Sequence, residues 1–168
     1  MEVRKVRTSD VDKLAQLMNR VDESSQYMLW EPGERNVQAE DLLKMIQSMQ
    51  SSGNATVFVA EKNKELAGYL FAKGGSARRN KHVVYIVIGI LKEYRGQGIG
   101  SKLFSTLEQW AFKNGFTRLE LTVVKKNEPA IALYKKAGFE IEGTKRKSLQ
   151  IDGEFIDEYY MSKIMRGS

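Results

Sequence analysis

The apolar positions of this chain change period repeatedly, and each change marks an element. Met1 to Arg7, with Val3 and Val6 nearly in phase, predicts a short first strand. Thr8-Ser9-Asp10 is a helix-capping signal, and Val11, Leu14, Ala15, Met18 and Val21 then recur at helical spacing. Asp22 to Asn36 has no clear period; it carries Tyr27, Trp30 and a Glu31-Pro32-Gly33 turn, and reads as a loop or broken helix. Leu42, Met45, Ile46 and Met49 predict a second helix that stops before Ser51-Ser52-Gly53-Asn54.

The period then shortens. Thr56 to Ala60 and Leu66 to Phe71 predict two strands joined by a polar turn around Asn63, followed by a polar tip from Gly74 to Asn80. Val83 to Leu91 is apolar almost throughout, as expected of a central strand covered on both faces. Gly89 within it signals a bulge or a close backbone approach. After a glycine-rich turn, Leu103, Phe104, Leu107, Trp110 and Ala111 form a one-sided helical stripe that Asn114-Gly115 ends. Leu119 to Val124 predicts another strand, and Glu128-Pro129 opens a helix running to Ala137-Gly138. Phe139 to Gln150 and Glu154 to Ile164 predict a final hairpin turning at Asp152-Gly153. The order β α α β β β α β α β β implies an α/β fold, a mixed sheet with helices on both faces. One domain is expected over residues 1–166, with 167–168 a tail of the kind cloning leaves.

Composition narrows the chemistry. With 42% apolar residues in 168, the chain can build one core. The longest apolar run is far too short to span a bilayer, and Met1 to Lys5 does not open a secretory signal, so a cytoplasmic protein with no membrane partner is expected. The absence of cysteine excludes disulfides, thiolate metal sites and acyl-cysteine intermediates. His82 is the only histidine, so a histidine-based zinc site would need carboxylates for its other ligands, and no metal is expected. A Ser-His-Asp triad would also have to use His82, far in sequence from any nucleophile turn. The formal charge of +6 favours an anionic ligand.

The segment Glu93-Tyr94-Arg95-Gly96-Gln97-Gly98-Ile99-Gly100-Ser101 supplies a seat for that anion. Glycines at alternate positions opening a helix direct several backbone N–H groups to one spot at the positive end of the macrodipole. The turn lacks the Gly-Lys-Ser/Thr ending of a P-loop. A dinucleotide fingerprint fits poorly, because the chain begins with helices and antiparallel strands, although Glu120 stands near the required spacing. A tight strand-to-helix connection with no ligand is the bland alternative.

Ile88 to Gly100 resembles the acyl-CoA signature of the GNAT superfamily of N-acetyltransferases, whose Arg/Gln-x-x-Gly-x-Gly/Ala element is matched by Arg95, Gly98 and Gly100. Asn127 to Phe139 resembles the family's second segment, Asn-x-x-Ala-x-x-Leu-Tyr-x-x-x-Gly-Phe. The order of elements also matches over essentially the whole chain. The resemblance implies a mostly antiparallel sheet of about seven strands flanked by about four helices. It also implies a wedge between the Val83–Leu91 and Leu119–Val124 strands. Acetyl-CoA would be the co-substrate: its pyrophosphate on Arg95, Gly96, Gln97, Gly98, Ile99, Gly100 and Ser101, its pantetheine arm along Ile90, Leu91 and Lys92, and Asn127 in contact with the arm. Many family members have proline where Lys92 stands. Lys102, Lys125 and Lys126 are further phosphate candidates, each equally readable as solvated surface. Asn127 reads equally well as a helix N-cap, and Tyr134 as a core aromatic. The resemblance places the Tyr134 hydroxyl at the cofactor sulfur, where a phenol could protonate the leaving thiolate.

The expected reaction is direct acetyl transfer to a primary amine, on a protein N-terminus or a small amine or amino-acid-like metabolite. The amine must be neutral, and free alkyl amines titrate near ~10. The central strand holds no carboxylate, so Glu31, Glu34 or ordered water is the candidate base. Tyr27, Trp30, Tyr85, Phe155 and Tyr159 are candidate acceptor-site walls, between the first interhelical loop and the final hairpin. The C-terminal run and hairpin resemble the branch with ribosomal-protein alanine and polyamine acetyltransferases, though a basic chain suits a polycation poorly. Dimers are common in that family, so a homodimer is left open. The competing class is an acyl-CoA-binding sensor or scaffold without transfer. Nucleic-acid or ribosome association rests only on the positive charge and Arg78-Arg79-Asn80-Lys81, and is disfavoured.

Overall fold

The computed structural model describes residues 1–165; the expected domain end at 166 and the tail at 167–168 lie outside them. Strands β1 (Glu2–Lys5), β2 (Ala55–Lys62), β3 (Glu65–Gly74), β4 (Val83–Ile90), β5 (Arg118–Val124), β6 (Glu140–Ile151) and β7 (Glu154–Ile164) form one sheet in the order β1-β2-β3-β4-β5-β7-β6. Every neighbouring pair is antiparallel except β4 and β5. Helices α1 (Val11–Ser24) and α2 (Ala39–Ser52) cover one face, and α3 (Ile99–Lys113) and α4 (Glu128–Lys136) the other. The mixed, mostly antiparallel seven-stranded sheet with four helices is the architecture expected from the sequence.

Local chemistry accounts for the boundaries. The α1 helix takes in Asp22 to Ser24, where the apolar pattern fades, because Val21 and Asp22 are both buried beneath it. The α2 helix likewise passes the expected stop and takes in Ser51 and Ser52; Gly53, at φ 70°, then ends it in the left-handed conformation. Asp10 does not cap α1 through its side chain. Its carboxylate instead accepts from the Arg4 guanidinium at 2.7 and 3.0 Å and from the Arg7 N–H at 2.7 Å, tying β1 to the start of α1. These donors, led by Arg4, hold the Asp10 carboxyl below its ordinary value.

Asp152 and Gly153, at φ 52° and 78°, turn the β6–β7 hairpin as their sequence predicts. Arg118 of β5 reaches across β7 to Glu142 of β6 at 2.6 and 2.9 Å, and the Ser162 hydroxyl of β7 donates to the same carboxylate at 2.6 Å. The Arg118 and Ser162 hydrogen bonds hold the Glu142 carboxyl down to about 2. A depressed carboxyl contributes stability that is complete above its ordinary value of 4.5 and lost as pH falls through 2. Glu142→Gln should therefore flatten the loss of Tm between pH 5 and 2, measured by melting at each pH. The half-exposed pair limits the effect to about 1 kcal/mol.

The β4 strand departs from expectation. Tyr85 is 42% exposed and Val87 39%, so between these residues the strand is covered on one face only, while Gly89 further along the same face is buried. Its apolar composition on the second face reflects an opening in the sheet. The parallel β4–β5 pairing holds for three residue pairs, Val83 with Arg118, Val84 with Leu119 and Tyr85 with Glu120, and then ends. Beyond Tyr85 the strands separate, and the gap is the implied wedge. Gly89 is a close approach without a bulge: the β3–β4 register runs unbroken, and a Cβ there would stand 2.6 to 2.7 Å from the Tyr69 ring and hydroxyl.

Candidate functional site

The wedge opens into a cleft of about 1280 Å³. Its walls are β4 from Tyr85 to Ile90, β5 from Leu121 to Val124, the first turn of α3, the start of α4 and the loop after α1. That volume exceeds the few hundred Å³ of an ordinary small-ligand pocket and can hold two substrates end to end. Among the described residues that line it are six cations, Arg35, Lys92, Arg95, Lys126, Lys136 and Lys145, against one carboxylate, Glu158. The positive charge of the chain is thus concentrated where an anionic ligand would lie.

At one end stands the N-terminus of α3. Gly96 and Gly98 have φ of 75° and 80°, which glycine adopts without strain. No side chain among the described residues caps the helix. Its first backbone bond runs from the Lys102 N–H to the Gly98 carbonyl at 3.2 Å, so the N–H groups of Ile99, Gly100 and Ser101 precede any intrahelical partner. A Cβ built at Gly96 or Gly98 meets nothing within 4 Å; the space in front of them is open to a ligand. A Cβ at Gly100 would instead stand 2.6 Å from the Leu133 side chain, so that glycine lets α4 pack against α3. Donors, open space and positive potential together fit a pyrophosphate.

The cofactor-binding residues and the acid singled out from the sequence gather here, with two exceptions. Ile90, Lys92, Arg95, Gly96, Gly98, Ile99, Gly100, Ser101, Asn127 and Tyr134 all line the cleft, whereas Leu91 and Gln97 do not. The Leu91 side chain is buried in the core beneath α1 and α2, because β4 ends there in a 3₁₀ turn and the residue faces inward. The Gln97 side chain bonds the Lys62 ammonium and the Glu93 carbonyl, which leaves it no reach into the cleft. Of the further lysines, Lys126 lines the cleft but pairs with Glu154 at 3.0 Å. Lys125 sits over the Tyr159 ring and Lys102 lies outside the lining. Lys136 and Lys145 join it, although no sequence motif marks them.

Asn127 caps α4, its side-chain oxygen accepting from the Ala130 N–H at 3.3 Å, while the same residue borders the cleft. Tyr134 is 8% exposed and packs edge-on to Phe104 at 5.7 Å. Burial, with a smaller contribution from Tyr85, pushes its phenol well above the ordinary value. The hydroxyl therefore keeps its proton, and it has no hydrogen-bond partner among the described residues.

At the other end, Tyr27, Trp30 and Tyr85 line the mouth as expected. Phe155 and Tyr159 do not: Phe155 is exposed under Lys147, and Tyr159 packs against the core behind α3 and α4. Strand alternation alone sends Tyr159 to the opposite face from Glu158. Glu31 and Glu34 are exposed and stay out of the lining; the Glu34 carboxylate accepts from the Glu31 N–H at 3.0 Å. Sequence reasoning missed Arg35 and Glu158. Arg35 lies in an aperiodic segment, and the facing of Glu158 depends on register.

A model of the acetyltransferase (GNAT) family matches residues 18–139. The L-amino acid N-acetyltransferase AaaT of Escherichia coli (strain K12) is 35% identical over 104 residues, 60% of this chain and 62% of that protein, so the chain spans less than two thirds of this relative's length. A GNAT-family acetyltransferase from Streptococcus pneumoniae superposes with a TM-score of 0.93 at 30% identity, covering 98% of this chain and 99% of that one. The fold of yncA from Salmonella typhimurium, solved with its cofactor acetyl-CoA, matches with a TM-score of 0.88 at 20% identity over 99% of this chain and 95% of the other. The chain belongs to the acetyltransferase (GNAT) family.

Proposed function

We propose that residues 1–166 form a single N-acetyltransferase domain that moves an acetyl group from acetyl-CoA directly to a primary amine, in the cytoplasm. The observation that carries this reading is one cleft with an uncapped, glycine-lined helix N-terminus and a free buried phenol, that of Tyr134, on its walls. In this reading the backbone of Arg95 to Ser101 holds the pyrophosphate, and Ile90 to Lys92 and Asn127 flank the pantetheine arm. Leu91 and Gln97 act through backbone atoms alone.

Acetyl-CoA supplies the acyl group and a thiolate leaving group. The amine nitrogen bonds to the acyl carbon as the carbon–sulfur bond breaks. Tyr134 gives its phenolic proton to the departing sulfur. The proton lost by the amine passes to Glu158, the lining carboxylate, directly or through ordered water. The chain has no cysteine to form an acyl-enzyme, which favours direct attack.

The test is thiol release from acetyl-CoA with a panel of primary amines, including amino acids, peptides with free N-termini and polyamines. Amine-dependent release is the expected result. Tight acetyl-CoA binding with no release on any amine would favour the sensor reading instead.

A further inference from the structure

An acceptor amine must be held so that its nitrogen points at the thioester, and a second handle on the same molecule is the simplest way. Arg35 is the single cation in the segment joining α1 to α2, and it lines the cleft. Its guanidinium is gripped side-on: Nε–H and Nη2–H donate to Oδ2 and Oδ1 of Asp22, each at 3.1 Å. Asp22 is 2% exposed at the end of α1. Trp30 lies under one flat face, its ring centroid 5.9 Å from the guanidinium carbon. The end-on edge, Nη1 with the second Nη2 hydrogen, is not engaged by Asp22, and the Tyr69 hydroxyl lies beside the guanidinium. That edge matches a carboxylate through two parallel N–H···O bonds.

A second group marks the same spot. Tyr69 is 1% exposed, and its hydroxyl makes no well-formed hydrogen bond among the described residues. The oxygen lies beneath Gly89, 2.7 Å from where a Cβ would stand, and Gly89 lines the cleft beside the opened strand. Burial pushes this phenol up to about 12, while the adjacent Arg35 guanidinium, by charge and by hydrogen-bonding contact, acts against the rise. The hydroxyl lies behind the cleft wall, beside the Arg35 guanidinium, and helps fix where that guanidinium sits.

We propose that Arg35 binds the α-carboxylate of the acceptor through its open guanidinium edge, so that the acceptor class is a free amino acid. The inference rests on the transfer reading above. A protein N-terminus has its first carbonyl locked in an amide and brings no charge for Arg35 to meet. A polyamine brings charge of the wrong sign. Met28, Leu29 and Val87 line the same mouth, which suits an apolar side chain. The buried Asp22 carboxylate acts as a positioning residue: it fixes the fork and leaves one edge to the substrate.

The experiment compares L-methionine, L-leucine and L-phenylalanine with their α-carboxamides as acceptors. The wild-type protein should favour each acid over its amide by about 10- to 100-fold in kcat/KM, the range of a charged hydrogen-bonded pair. In R35Q that ratio should collapse toward one, chiefly through KM for the acid, with KM for acetyl-CoA held. R35K, which keeps the charge but loses the fork, should recover only part of it. The acid-to-amide comparison on the wild-type protein needs no variant, so a folding defect in R35Q cannot mask the answer. Turnover of amides or peptides at the rate of the acids would overturn the carboxylate role while leaving the transferase reading intact. An R35Q loss equal for acid and amide would reduce Arg35 to a structural pin on its loop and overturn it too. No amine-dependent release from any acceptor would overturn both readings.

Discussion

Gly98→Glu is expected to abolish acetyl-CoA binding while leaving the protein folded. The φ of 80° at Gly98 makes any side chain there strained, at about 1–2 kcal/mol. A Cβ at that position nevertheless meets nothing within 4 Å, so the new side chain has room in the space the cofactor would use. It brings a negative charge to the N-terminus of α3, where the seat would otherwise offer charge-assisted bonds to phosphate. Losing two such bonds weakens binding by at least ~100-fold. The strain alone should lower Tm by about 2–8 °C. Gly115→Glu provides the matched control. Gly115 has φ 77° and equally open surroundings, but lies at the far end of α3. It should show a similar loss of Tm with acetyl-CoA binding retained. Binding is read by calorimetry and folding by thermal melting. If the Gly98→Glu protein folds and binds acetyl-CoA like the wild type, the pyrophosphate is not held at this turn.

Tyr134→Phe should separate chemistry from binding. The ring packs edge-on against Phe104 at 5.7 Å and lies 6.4 Å from Phe139, contacts a phenylalanine keeps. The hydroxyl has no protein partner to lose among the described residues, so Tm should hardly move. Removing the acid that protonates the thiolate should lower kcat by about 10²-fold or more, with KM for acetyl-CoA within about 2-fold. Burial first, and Tyr85 second, raise the phenol above its ordinary 10, so the proton is kept through neutral and mildly alkaline pH. The wild-type rate should accordingly show no alkaline fall from this group below pH ~10. Thiol release at saturating amine measures both. Unchanged turnover would remove Tyr134 from the acid role.

Much of this is legible in the sequence alone. Helical stripes such as Leu103, Phe104, Leu107 and Trp110 appear unmodified in the buried core, because spacing along a helix fixes which face is apolar. The Asp152-Gly153 turn followed from residue type, since positive φ is open to few side chains. The one-sided exposure of β4 was not legible. An apolar strand facing a cleft has the same composition as one covered on both sides, and Tyr85 and Val87 differ from Val84 and Ile86 only in their surroundings. Arg35 was equally hidden. Its segment has no period, and the carboxylate that grips it sits 13 positions earlier on α1.

The sequence by itself determined the end of the cleft built on α3 and α4. The glycines before α3 require positive φ at particular positions, Asn127 caps the helix that carries Tyr134, and both are local consequences of residue identity. Only the tertiary structure decided the opposite end of the cleft. Which carboxylate reaches the cleft depends on the register of β7 against β5, and which guanidinium edge stays open depends on a buried aspartate from another element. Those are long-range contacts, fixed when the sheet splits beyond Tyr85 and the loop folds over it, and no local spacing encodes them.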